Sequence, residues 1–341
     1  MAKPRTAVEG DTIVFRLPLK TGVTGVRLWQ DLNLPEPLDF TSAADCWELR
    51  LPLPPVDRLE YLYEVAGPDG TETITDPTNP DVVAGAFGDH SWLAMPGYHP
   101  PAWLPVEPAL SVVEPILVED TPVGEVSGTL WSPYETKPGE RLPLLVAHDG
   151  PEYAALARLT DYAGVMVAED VLPRFRVALL APGTRDERYA ANPAYADALV
   201  ERVLPAIPGT RGEPVLMGAS LGGLAALHAH WRHPGTFAGL FLQSASFFTA
   251  RTDAMERRFG FFRKVTAFVR EVMTTSVDGL PVSLTCGAAE ENVHNNRLMA
   301  DRLRELGWPT AYAESRDGHS FTAWRDMLHP HLTELLNHLW R

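Results

Sequence analysis

Hydrophobic spacing changes character near residue 110, and this restricts the chain to two differently built parts. Residues 26–29, 47–51 and 59–65 alternate apolar and polar side chains with period 2, as half-buried strands do. Turn-forming stretches at 34–37, 67–70 and 76–80 separate them. The spacing predicts a small all-β, immunoglobulin-like sandwich over residues 1–95. Residues 96–108 then carry five prolines. Proline blocks both helix and central strand, so 96–110 reads as a stiff extended linker. Beyond it, apolar runs without alternation recur at 144–147, 176–181, 214–218, 239–243 and 282–286. Such runs fit parallel strands covered on both faces. Helical patterns lie between them, for instance 292–306, with Gly307 placed to end that helix. Strand–helix alternation over 111–341 predicts a doubly wound α/β domain.

Composition narrows the function classes. The 341 residues carry a net charge of −15, which argues against a nucleic-acid coat. The two cysteines, Cys46 and Cys286, suit reduced thiols better than a disulfide framework, and no zinc-ligand spacing occurs. No apolar run reaches membrane-spanning length, and the first residues lack the apolar core of a signal segment. A soluble cytoplasmic protein is expected, with neither metal nor cofactor.

The sharpest local pattern is Gly218-Ala-Ser220-Leu-Gly222-Gly223. It follows an apolar run and leads into an Ala/Leu-rich helical stretch. A nucleophilic serine on a strand-to-helix turn needs small residues two before and two after it, because that strained turn brings backbones together. The competing reading is a Gly-rich turn of a nucleotide-binding fold, but that motif belongs after a first strand, not about the third. Ser220 is therefore the candidate nucleophile, and the Leu221 N–H the first oxyanion donor. A second donor belongs on the loop after an early strand, here 148–152. Pro151 has no N–H, which leaves Gly150 or Glu152.

A serine hydroxyl needs a base. In this fold the partners follow in the order serine, acid, histidine. His319 sits in a Gly-His turn after the strand-like residues 310–314. His228, His230 and His233, in contrast, sit in or beside the helix after Ser220. The acid should lie after 282–286, where Glu290 and Glu291 are adjacent; position favours Glu290, with Glu291 as the other choice.

Together these residues resemble the putative-esterase family of α/β hydrolases, and within it the enterochelin (enterobactin) esterases. The resemblance rests on HDGPEY at 148–153, APGTRDERY at 181–189, GASLGG at 218–223, QSASFF at 243–248, CGAAEENVHNN at 286–296 and DGHSFTAWRDML at 317–328. It implies a sandwich preceding an α/β-hydrolase domain, with Ser220 as nucleophile, His319 as base and Glu290 as acid. It further implies hydrolysis of the triserine lactone of a catecholate siderophore for iron release. Pro151 departs from the family pattern in the oxyanion loop.

Residues 244–270 read as an insertion over the sheet edge. Arg251, Arg257 and Arg258 lie there, with Phe247 and Phe248 at its start, and Arg185 and Arg188 form a second basic group. A ferric catecholate is anionic and ring-bearing, so arginines and aromatics suit it. The plainer reading is an amphipathic cap helix with a solvated basic face. A small-molecule ester is the expected partner. A carbohydrate-ester esterase with a sugar-binding sandwich is the alternative, and a non-catalytic binding protein is a third.

Overall fold

The computed structural model describes all residues except 1–4, 33, 35 and 36. The turn expected at 34–37 therefore lies partly outside the described residues, as does the start of the N-terminal segment. Contacts divide the chain into two units. The first comprises residues 1–99 together with 288–291 and 316–320; the second holds the remainder.

The first unit is a β-sandwich. Its strands are β1 (Ala7–Glu9), β2 (Thr12–Pro18), β3 (Gly25–Gln30), β4 (Thr41–Ser42), β5 (Cys46–Pro52), β6 (Arg58–Gly67), β7 (Gly70–Ile74), β8 (Val82–Gly85) and β9 (Gly88–Ala94). One sheet runs β1-β2-β5-β4; the other runs β3-β6-β9-β8, with β7 paired to β6. The period-2 residues do what their spacing demands: Leu28, Leu49, Leu51, Leu59 and Tyr61 fill the space between the sheets, joined by Phe15 and Leu17 of β2, which the spacing did not single out. The 67–70 stretch is the hairpin turn joining β6 to β7, with Gly70 at φ 122° where a side chain is disfavoured.

The second unit contains β10 (Ser111–Val118), β11 (Val126–Pro133), β12 (Leu144–Ala147), β13 (Arg176–Leu180), β14 (Val215–Ala219), β15 (Gly239–Gln243), β16 (Val282–Gly287) and β17 (Thr310–Ser315). They form one sheet in the order β10-β11-β13-β12-β14-β15-β16-β17. β10–β11 and β11–β13 pair antiparallel, and every later pair is parallel. Successive strand residues face opposite sides. Leu144 and Val146 enter one core, whereas Leu145 and Ala147 enter the other. This explains why these strands read as uninterrupted apolar runs. The chain is thus an α/β-hydrolase-type sheet preceded by a small β-sandwich.

Spacing did not single out β10 and β11. Pro115 interrupts β10, and proline in a central strand would remove a ladder donor; β10 is an edge strand, where it is tolerated. In the expected insertion, the helix Phe262–Thr274 buries Phe262, Val265, Phe268, Val269 and Val272. That spacing is one helical stripe, and Arg263, Lys264 and Arg270 occupy its exposed face. Cys46 and Cys286 are buried and form no disulfide. Among the described residues, no helix is long and apolar enough to cross a membrane.

Candidate active site

Ser220 follows β14 directly and precedes the helix Leu221–Arg232. Its backbone is at φ 54°, ψ −125°, a conformation a non-glycine residue holds only where its surroundings impose it. Those surroundings explain the glycines. A Cβ on Gly218 would lie 2.4 Å from the Gly222 carbonyl carbon. One on Gly223 would lie 2.8 Å from Ala245 Cβ, and one on Gly222 3.1 Å from both Asp149 Oδ2 and His148 Cβ. The Gly218 contact is with backbone, which no rotamer change relieves. Gly218→Ala is accordingly expected to cost at least about 1–3 kcal/mol, the range for overpacked sites. A urea midpoint equal to that of the parent would contradict this.

The elbow is tied to its neighbours by directed bonds. The Ser220 N–H donates to the Gln243 carbonyl at 2.9 Å, and the Ser246 N–H donates to the Ser220 carbonyl at 3.0 Å. Ser220 Oγ lies 3.2 Å from Ser246 Oγ. Leu221 opens the helix, so its N–H belongs to the first turn, where donors have no acceptor within the helix. His148, at the end of β12, bonds the Gly222 carbonyl through Nδ1 at 2.9 Å. Complete burial pushes the His148 pKa down to about 4 despite Asp149, so the ring is neutral and donates from Nδ1.

Gly150 and Glu152 lie in the short helix Gly150–Ala155 that follows β12. A Cβ at Gly150 would overlap the Leu179 carbonyl carbon at 2.2 Å, so packing against β13 already requires glycine here. Asp149, at φ 51°, receives a bidentate pair from Arg185: Nε to Oδ1 at 2.8 Å and Nη2 to Oδ2 at 2.9 Å.

Glu290 comes three residues after β16, and His319 four residues after β17. β14, β16 and β17 run parallel in one sheet, so the three strands end at the same, carboxyl edge. His319 Nδ1 is 2.6 Å from Glu290 Oε2. The Glu290 side chain is fully buried and that of His319 is 22% exposed. Glu291 is exposed. Burial opposes charge on His319, but the Glu290 carboxylate, by its charge and its hydrogen bond, more than offsets this, with smaller help from Glu291 and Asp31. The imidazole pKa is therefore raised above its ordinary 6.5.

The residues expected to bind substrate differ in their surroundings. Arg188 is buried, and its guanidinium donates to the carbonyls of Val123 and Glu125 while filling the space beside Gly183. Arg185 is held by Asp149 as described. Phe247 and Phe248 are part of a hydrophobic core. Arg251, Arg257 and Arg258 are exposed. Ser246, whose hydroxyl adjoins the Ser220 hydroxyl, escaped sequence reasoning because nothing local to it marks a role. Among the described residues, no group of three or more His, Cys, Asp or Glu side chains is arranged to hold a metal ion.

The sequence profile of the putative esterase family matches residues 124–335. Comparison with curated protein sequences returns no match. Among solved structures, the enterobactin esterase of Shigella flexneri, crystallised in the presence of 2,3-dihydroxy-N-benzoyl-glycine, is 19% identical. The alignment covers 99% of this chain and 97% of that one, with a TM-score of 0.76. The ferric enterobactin esterase of Salmonella typhimurium is 20% identical over 98% of this chain and 96% of its own, with a TM-score of 0.80. A ferulic acid esterase is 18% identical over 67% of this chain and 99% of its own, with a TM-score of 0.59.

Proposed function

From the premise that the chain belongs to the putative esterase family, we propose that it is a serine hydrolase acting on the triserine lactone of a catecholate siderophore. Ser220 attacks the ester carbonyl while His319 takes its proton. Glu290 fixes the imidazole tautomer and stabilises the cation that forms. The Leu221 N–H, with that of Gly150 or Glu152, receives the negative charge on the tetrahedral oxygen. His319 returns its proton to the departing alcohol, and water then resolves the acyl-enzyme by the same route. No step calls on a metal or cofactor of the protein; iron enters only as part of the substrate, and its release belongs in the cytoplasm.

The observation carrying the mechanism is the positive-φ Ser220 backbone at the β14-to-helix turn, flanked by glycines where a Cβ would crowd neighbouring atoms. Support for the acid–base pair comes from the 2.6 Å contact between His319 and Glu290. Support for the substrate comes from the solved relatives that align over nearly the whole chain, which are enterobactin esterases. The exposed arginines 251, 257 and 258 offer positive charge to an anionic ferric complex. A carbohydrate ester is the second reading, favoured by the fold shared with a ferulic acid esterase, although that alignment spans only 67% of the chain.

A side-by-side turnover panel separates the two. Ferric and iron-free enterobactin are expected to give a higher kcat/KM than feruloyl sugars or short p-nitrophenyl esters. Faster turnover of feruloyl sugars than of either lactone would reverse the substrate assignment and leave the mechanism standing.

A further inference from the structure

His319 and Glu290 belong to the sandwich-bearing unit, on the two segments 316–320 and 288–291. A buried ion pair ties segment 316–320 to β6. Arg58, at the start of β6, donates through Nη2 to Asp317 Oδ2. Both residues are buried. Arg58 Nη1 also donates to Tyr98 Oη at 3.1 Å, and its guanidinium lies 5.1 Å from the centre of the Tyr98 ring. The Arg58 backbone is itself fixed, because β6 pairs with β9 at Arg58–Ala94.

Asp317 passes this restraint along two arms. Its Oδ1 accepts the Gly318 N–H at 2.9 Å, one residue before His319. Its carbonyl accepts the Ala289 N–H at 3.1 Å, one residue before Glu290. The Asp57 N–H donates to the Arg316 carbonyl, and Ala289 packs against the sandwich core. A buried ion pair is a poor device for stability, since desolvation cancels most of the attraction; what it does supply is direction and register.

We infer that Arg58 is a positioning residue for the His319–Glu290 pair, acting through Asp317. This rests on the reading of His319 as the base. Loss of Arg58 frees both arms at once and lets the imidazole drift from its productive orientation. Misplacement of that order lowers turnover without removing any group that touches the substrate.

The test compares Arg58→Met, Arg58→Lys and the double variant Arg58→Met/Asp317→Asn with the parent and with His319→Ala. The double variant leaves no buried charge stranded, so it decides the matter if the single variant folds poorly. Three quantities are read: kcat and KM for a p-nitrophenyl ester per active site titrated, thermal midpoint, and the low-field proton resonance of the His319 Nδ1–H. We expect kcat in the double variant to fall about 10- to 100-fold, the scale for misplacing a reacting group by about 1 Å, with KM within about twofold and the resonance shifted or lost. Lysine should restore part of kcat. A folded double variant with parental kcat and an unchanged resonance overturns the inference. Parental activity in His319→Ala instead overturns the reading beneath it, and this inference with it.

Discussion

Replacing Ser220 with alanine is expected to lower kcat/KM toward an activated aryl ester by about 10^4- to 10^6-fold, the scale for removing a nucleophile from a unit that acts together. Stoichiometric labelling by an organophosphonate should vanish in the same variant. The neighbouring Ser246 hydroxyl, 3.2 Å from that of Ser220, makes peptide mapping of the label essential. A parent protein labelled on Ser246, or on any serine other than 220, would refute the assignment. The size of the effect follows from what remains after the substitution. The oxyanion donors and the binding surface persist and still favour the tetrahedral state, but no acyl-enzyme can form.

Glu290→Gln is expected to cost about 10^2- to 10^4-fold in kcat, because an amide neither enforces the Nδ1–H tautomer nor stabilises the imidazolium. It carries a pH signature as well. General-base catalysis needs neutral His319, so activity falls as pH drops through its pKa. In the parent that pKa is raised, with burial opposing the charge and Glu290 favouring it, so the acid limb of kcat/KM should lie above 6.5. Without the carboxylate, burial acts with much less opposition, and the limb should move to lower pH. The exposed Glu291 serves as control, and Glu291→Gln should leave kcat within a fewfold. An unmoved limb in Glu290→Gln would give the orienting role to another group.

Much of the fold and of the candidate site was legible in the sequence. The parallel strands announced themselves because both faces of the sheet are covered, which removes polar alternation from the sequence. Ser220 was legible because its turn needs glycine at fixed offsets. Counting from the end of a strand favoured Glu290 over Glu291, and the 2.6 Å contact of Glu290 with His319 supports the same choice.

What the sequence left unread shares one cause. Arg188 and Arg185 look alike in sequence, yet one guanidinium caps two backbone carbonyls inside the fold and the other clamps a carboxylate beside the elbow. Phe247 and Phe248 looked like a binding platform, but they are core. Whether a charge or a ring meets water is a tertiary property, and a composition window cannot read it. Arg58 and Asp317 lie 259 positions apart, and no local pattern connects them. β10 was hidden by its proline, a residue that means interruption everywhere except at a sheet margin.

The division of the chain by contacts does not follow its order in sequence, since residues 288–291 and 316–320 group with residues 1–99. This has an evolutionary consequence. By sequence order alone, recombination in the proline-rich stretch exchanges one self-contained module for another. The incoming sandwich would also have to supply a cation for Asp317 and an apolar seat for Ala289, or segments 288–291 and 316–320 would lose the partners that hold them. Inheritance of the two halves as a single block is the outcome such a constraint favours.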